Sequence, residues 1–375
     1  MLPFIDLKYQ YSLIRDEIHA GIDRVLESGH FILGAEIAEL ERQLAEYAGV
    51  KHALACSSGT DALLMSLMAL GIGPGDAVFT TPFTFFATVE TIALVGATPV
   101  FANIDAGTYN IDPAKLEEAI LKVEREGKLK PKAVIPVDLF GLTADYKAIK
   151  PLAEAHGLAI IEDACQAFGA VDPSGKRAPA LGTIGCTSFF PAKPLGCYGD
   201  GGAVFTDDDD LYDKLYSILV HGRCSEDRYN NVRLGLNARC DTIQAAVLLA
   251  KLKLFPGEVE KRQDEADRYR AGLKDVVSVQ TIPDGCISVY AQFCPRSPKF
   301  AEIQAALKVA DIPTARYYPI PMHLLGATEY LGYRKGDMPV AEACAADIFA
   351  LPMHPYLKAE DIDRICGIIA ETVKK

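Results

Sequence analysis

Lys193 is the lone cation between Arg177 and Lys214, in the run Ser188-Phe189-Phe190-Pro191-Ala192-Lys193-Pro194-Leu195-Gly196. An isolated lysine is ordinarily a solvated surface group. Here the apolar flanks and the following Gly199-Asp200-Gly201-Gly202 argue otherwise. A desolvated lysine has a lowered pKa, and its neutral amine can form a Schiff base with a carbonyl. A second run, Cys56-Ser57-Ser58-Gly59-Thr60-Asp61-Ala62-Leu63, passes from a strand pattern straight into an apolar helix. Such a helix start offers free N–H groups and the positive end of the helix dipole, which together suit a phosphate. A plain N-cap is the alternative reading, since serine and threonine are good caps. The third run, Ile161-Glu162-Asp163-Ala164-Cys165-Gln166, puts an acid at the end of an apolar strand. A solvated loop carboxylate is the alternative there.

Taken together, the three runs fit one cofactor. A phosphate cradle, an acid and a Schiff-base lysine are what pyridoxal 5′-phosphate requires. Asp163 is expected to keep the pyridine nitrogen protonated. Lys193 is expected to hold the aldehyde. The N–H groups of Gly59 and Thr60, with Ser58 and Ser188, are expected to bind the phosphate.

The elements that must position these groups follow from periodicity. After two opening helices over 9–28 and 36–48, seven short strands are expected at 52–56, 77–80, 99–103, 133–137, 158–162, 186–190 and 203–206. Helices fit between the first five and after the seventh. That alternation implies an α/β fold with a mainly parallel sheet covered on both faces, and the strands are accordingly apolar nearly throughout. Only the loop 191–202 separates the last two strands, too short for a helical crossover, so at least one of them is expected to run antiparallel. Ligands of open α/β sheets bind beyond the carboxyl ends of the strands, where all three runs lie. Asp207-Asp208-Asp209-Asp210 precedes an apolar-periodic stretch and reads as N-cap chemistry. Beyond about residue 250 the texture changes to a charged helix (256–274), a strand candidate (287–293), a helix (299–309), a proline-rich segment and a last helix (359–373). The expectation is a large α/β domain over 1–250 and a smaller α+β domain over 251–375.

With 375 residues, half of them hydrophobic and 23% charged, the chain has ample material for a large core. Its net charge of -12 excludes a basic nucleic-acid footprint. No apolar run reaches the ~18 residues of a spanning helix. The N-terminus lacks the pattern of a secretory signal. The ten cysteines form no C-x-x-C pair, and the seven histidines make no ligand pattern, so no metal site is expected. Reduced, mostly buried thiols and a cytoplasmic location are the reading.

The ordered set of motifs resembles the DegT/DnrJ/EryC1/StrS family of nucleotide-sugar aminotransferases, which have the fold-type I architecture. The matching pieces are Ser58-Gly59-Thr60-Asp61-Ala62-Leu63, Thr81-Pro82-Phe83-Thr84-Phe85, Glu162-Asp163-Ala164-Cys165-Gln166 and the Lys193 run. Gly199-Asp200-Gly201-Gly202-Ala203, Gly235-Leu236-Asn237-Ala238-Arg239 and Leu351-Pro352-Met353-His354-Pro355-Tyr356 continue them. The resemblance implies that Phe85 stacks on the pyridine ring, that Gln166 bonds the ring hydroxyl, and that Asn237 reaches the phosphate in the neighbouring subunit of a homodimer. Arg239 would meet an anionic substrate from across that interface. Core packing for Phe85 and plain solvation for Arg239 stay open as alternatives.

Within the family, the run from Lys193 to Ala203 is most similar to members that aminate C3 of a UDP-linked 2-acetamido-hexuronate for O-antigen lipopolysaccharide, with L-glutamate as donor. Two departures stand out: Asp138 where many relatives have His, and Arg316-Tyr317-Tyr318 before Pro319-Ile320-Pro321. Arg316, Tyr317 and Tyr318 are expected to line the sugar pocket, with Arg316 pairing with a carboxylate or a diphosphate. The alternatives are a different dTDP-, GDP- or UDP-linked 3- or 4-keto sugar, a cysteine desulfurase using Cys224, and a non-catalytic regulator that binds the cofactor or a nucleotide sugar.

Overall fold

The computed structural model describes residues 2–224, 227 and 229–374. Two helices open the chain, α1 (Leu7–Ser28) and α2 (Ala35–Ala48). Then come β1 (His52–Cys56), α3 (Gly59–Ala69), β2 (Asp76–Thr80), α4 (Ala87–Leu94), β3 (Thr98–Phe101), α5 (Pro113–Glu126) and β4 (Lys130–Ile135). The large sheet is completed by α6 (Tyr146–Ala155), β5 (Ala159–Asp163), β6 (Ile184–Ser188), β7 (Gly202–Thr206) and α7 (Asp209–Leu219). The seven strands stand in the order β1-β7-β6-β5-β4-β2-β3. β7 pairs antiparallel with both β1 and β6, and the remaining pairs are parallel. This is the mainly parallel sheet that the alternating pattern predicts, with the short 191–202 connection producing the antiparallel strand.

Helices cover both faces, so β2 and β7 are buried at every position. α3 is apolar almost all round and lies between the sheet, α4 and α7. The acidic run before α7 caps it: the Asp208 carboxylate accepts from Leu211 N at 2.9 Å.

The second part differs in detail from expectation. The charged helix predicted over 256–274 is the end of a much longer one, α8 (Thr242–Leu273), which continues through Pro256. Residue 250, the expected division, therefore lies inside a helix, and α8 packs on α1, α2 and α11 (Ala359–Lys374). α9 (Phe300–Val309) and α10 (Pro339–Asp347) complete the α-helices among the described residues. The strand expected over 287–293 does not form a ladder. Ile287 and Phe293 make only single bridges, to Val171 and Leu351. Its apolar residues instead serve the core, with Val289 packing into the large part and Phe293 stacking on Tyr269 at 4.7 Å.

Candidate active site

The loops after β1, β5 and β6 meet at one end of the sheet, and glycines permit the approach. A Cβ on Gly59 would stand 2.7 Å from Cys165 Sγ and 2.8 Å from Ser188 Cβ. A Cβ on Gly202 would stand 2.4 Å from the Ser58 carbonyl carbon. A cavity of about 460 Å³ opens above this junction. Ser58, Gly59, Thr60, Phe85, Asp163, Gln166, Ser188 and Lys193 all line it, together with Tyr317 and Tyr318. A larger groove of about 640 Å³ lies between β3, α5 and the segment near Tyr333, and it contains none of these groups.

At the phosphate end, Ser58 caps α3 by accepting from Asp61 N at 3.0 Å. The amides of Gly59 and Thr60 have no acceptor among the described residues. The serine caps the helix and satisfies one N–H, and two amides at the same helix start, on residues that line the cavity, stay free for an anion.

At the acid end, alternation along β5 sends its two neighbouring carboxyls to opposite faces. Asp163 faces the cavity, and its Oδ2 accepts from Thr88 Oγ1 at 2.7 Å. Thr84 and Thr88 hydroxyls lie 3.0 Å apart behind it. Glu162 turns into the core, where its carboxyl accepts from Leu181 N at 2.5 Å and Gly182 N at 3.0 Å. Burial pushes Glu162 up to about 7. Burial and the nearby Glu162 likewise raise Asp138, which accepts from Ala144 N and Tyr146 Oη. Asp138 lies behind the cavity wall rather than on it, and its neighbour Val137 lines the cavity instead.

Lys193 projects between these ends. Burial holds its ammonium below the ordinary lysine range, partly offset by Cys165 and Asp163. Its amine has no hydrogen-bond partner among the described residues. Gln166 accepts from Phe140 N at 2.9 Å and donates to Tyr318 Oη at 3.1 Å, which fixes its amide at the cavity floor. Phe85 is 56% exposed and tilts toward Tyr318, so it is a cavity wall and not core.

Three expected residues lie elsewhere. Arg316 points away from the cavity: its guanidinium bonds the Ala345, Ala346 and Ile348 carbonyls at the C-terminal end of α10 and stacks 4.4 Å over Phe300. The orphan carbonyls of a helix end attract a cation, and here they take the one expected to meet substrate. Asn237 and Arg239 line an adjoining hollow of about 370 Å³ that shares Asp200 with the main cavity. Arg239 Nε is buried there without a partner among the described residues. Cys224 lies outside both hollows, with residues 225 and 226 beside it outside the described residues. Thr88 went unforeseen, although Thr84 and Thr88 at i, i+4 would share one helical face.

The donor set fits pyridoxal phosphate: two free amides at a helix start, a carboxylate held by a hydroxyl, and an unpartnered amine, all lining one cavity. Comparison with known proteins agrees. Residues 12–370 match the profile of the DegT/DnrJ/EryC1/StrS aminotransferase family. The chain belongs to that family. It is 48% identical over 370 residues to the UDP-2-acetamido-2-deoxy-3-oxo-D-glucuronate aminotransferase of Pseudomonas aeruginosa, covering 98% of this chain and 99% of that protein. It is 44% identical over 374 residues to a pleiotropic regulatory protein of Geobacillus stearothermophilus, covering 99% and 98%. A solved DegT/DnrJ/EryC1/StrS aminotransferase from Brucella abortus superposes with a TM-score of 0.97 at 49% identity over the whole of both chains. NtdA of Bacillus subtilis, solved with its cofactor PMP, superposes with a TM-score of 0.88 at 28% identity over 99% of this chain and 83% of that one. This family member is an aminotransferase, and its cofactor is pyridoxal 5′-phosphate.

Proposed function

We propose that this aminotransferase moves the amino group of L-glutamate to the C3 ketone of a UDP-linked 2-acetamido-hexuronate. The observation that carries the substrate is the whole-chain identity of 48% to the Pseudomonas aeruginosa enzyme named for that keto sugar. A homodimer, a role in surface polysaccharide such as O-antigen, a cytoplasmic location and a division of the chain near residue 250 belong to the same reading.

Each residue has a role in it. Pyridoxal phosphate, when bound, supplies a protonated ring that takes up the electron pair left at a carbon losing its proton. Lys193 is the catalytic acid and base. Its neutral amine, favoured by desolvation, would take the proton from Cα of glutamate and hold it as the ammonium until it is given back. The keto sugar is aminated by the same transfers in reverse, so glutamate and keto sugar leave as 2-oxoglutarate and amino sugar. Asp163 would face the ring nitrogen, and Thr88 would orient its carboxylate. Gly59, Thr60, Ser58 and Ser188 hold the phosphate. Phe85 would cover the ring face and Gln166 would meet the ring hydroxyl. Tyr317 and Tyr318 wall the sugar side. Asn237 and Arg239 serve the partner subunit's site, Asn237 at the phosphate and Arg239 at an anionic substrate group.

The test is incubation of the purified holoenzyme with L-glutamate and the UDP-linked 3-keto uronate, with products read by mass spectrometry. Amino sugar and 2-oxoglutarate in equal amounts are expected. Turnover of a dTDP- or GDP-linked keto sugar alone would transfer the reading to that substrate. A visible band that L-glutamate does not bleach would remove glutamate as donor.

A further inference from the structure

The loop that carries Lys193 is held from behind by α8. Lys251 on that helix is only 1% exposed, yet its side chain ends in an ammonium. That ammonium donates to the Gly196 carbonyl at 2.6 Å and lies 4.4 Å from the centroid of the Tyr198 ring. Seven residues earlier on the same helical face, Gln244 accepts from Tyr198 N at 2.8 Å and returns its amide N–H toward Tyr198 O at 3.4 Å. The contacts fall three to five residues beyond Lys193. Within the loop, Lys193 N donates to Phe190 O and Cys197 N to Phe189 O, each at 2.8 Å. The loop is therefore a closed turn, with Lys193 on its cavity side and Gly196 and Tyr198 clamped to α8.

A buried ammonium is costly unless it is paired and hydrogen-bonded. Lys251 forms no ion pair among the described residues. Glu258, the nearest acid on α8, is instead bonded to Gln10 and Tyr356. The partners Lys251 does have are the loop carbonyl and the aromatic face, which suit a cation. An apolar side chain would fill the same space without that cost, so the charge has to be explained by what it holds.

We propose that Gln244 and Lys251 are positioning residues for Lys193. Acting through Gly196 and Tyr198, they fix the loop so that the Lys193 amine meets the cofactor aldehyde. The proposal rests on the assignment of Lys193 made above.

The experiment measures how fast the apoprotein captures pyridoxal phosphate. The amine adds to the aldehyde, water leaves, and added borohydride reduces the C=N bond to a secondary amine that peptide mass spectrometry locates. Wild-type protein is expected to carry the label on Lys193. Lys251→Met is expected to slow labelling and kcat by about tenfold or more, as a small misplacement of a reacting group does, with KM little changed. Lys251→Arg keeps the cation and is expected to recover most of the rate. Lys253→Met removes a neighbouring surface ammonium that pairs with Glu17, and it is expected to label like wild type. Gln244→Leu is expected to slow labelling in the same direction, and it keeps the test open should Lys251→Met not fold. Wild-type labelling rates in folded Lys251→Met or Gln244→Leu would overturn the proposal. Labelling of a different lysine in wild-type protein would instead overturn the Lys193 assignment on which it rests.

Discussion

In the proposed reaction Lys193 and Asp163, which line one cavity, carry the chemistry. Lys193→Ala is expected to abolish both the visible absorption of the protein with pyridoxal phosphate and its turnover with L-glutamate. Retained turnover would refute the assignment. Asp163 takes the Thr88 hydroxyl at 2.7 Å, and such outer partners are commonly worth about 10- to 100-fold in activity. Thr88→Val is therefore expected to keep the cofactor bound while lowering kcat within that range, in steady-state assays with saturating glutamate. Arg316, by contrast, is committed to the end of α10, so Arg316→Lys should lower thermal stability and leave KM for the sugar unchanged.

At the scale of elements, the site depends on how closely three strand-end loops approach. Gly59→Ala would set a methyl against Cys165 and Ser188 at distances that real Cβ atoms do not tolerate. The loops must part, so weaker cofactor retention on dialysis is expected. A second element contact is readable through pH. Glu41 on α2 accepts from Ala55 N of β1 at 2.9 Å, and burial pushes its carboxyl up to about 7. The folded state thus binds a proton that the unfolded chain, with an ordinary value of 4.5, releases earlier. This group's contribution is most favourable below about 4.5 and is lost as pH rises through 7. Glu41→Gln keeps an acceptor for Ala55 and removes the titration. Between pH 5 and 8 the variant should lose less stability than wild type by about 1–3 kcal/mol in urea unfolding. Parallel pH profiles would contradict this account.

At the scale of the molecule, Asn237 and Arg239 stand in a hollow beside the main cavity, with Ile32 at its edge. Exposed Phe31, Ile32, Leu33 and Leu234 are large apolar residues in the segments on either side. The shared-site dimer predicts complementation between Lys193→Ala and Asn237→Ala protomers, because each mixed dimer would regain one intact site. Mixing equal amounts under exchange should restore roughly a quarter of wild-type activity from two inactive preparations. No recovery after verified exchange would place both residues in the site of one chain.

The residue types and their order already determined the cofactor chemistry, because a helix-start cradle, a strand-end acid and a desolvated lysine are legible in local pattern. The sheet was legible for the same reason: strands buried on both faces read as short apolar runs, and a 191–202 connection without room for a helix implies an antiparallel strand. Tertiary structure alone decided which groups face the cavity. Arg316 reads as a substrate ligand until α10 presents its carbonyls, and Thr88 is anonymous until α4 sets it beneath Asp163. The segment 287–293 has the pattern of a strand, but it has no ladder to join and gives its side chains to the core. These outcomes depend on partners distant in sequence. Local patterning fixes what a segment can do, and packing selects which of those possibilities is satisfied.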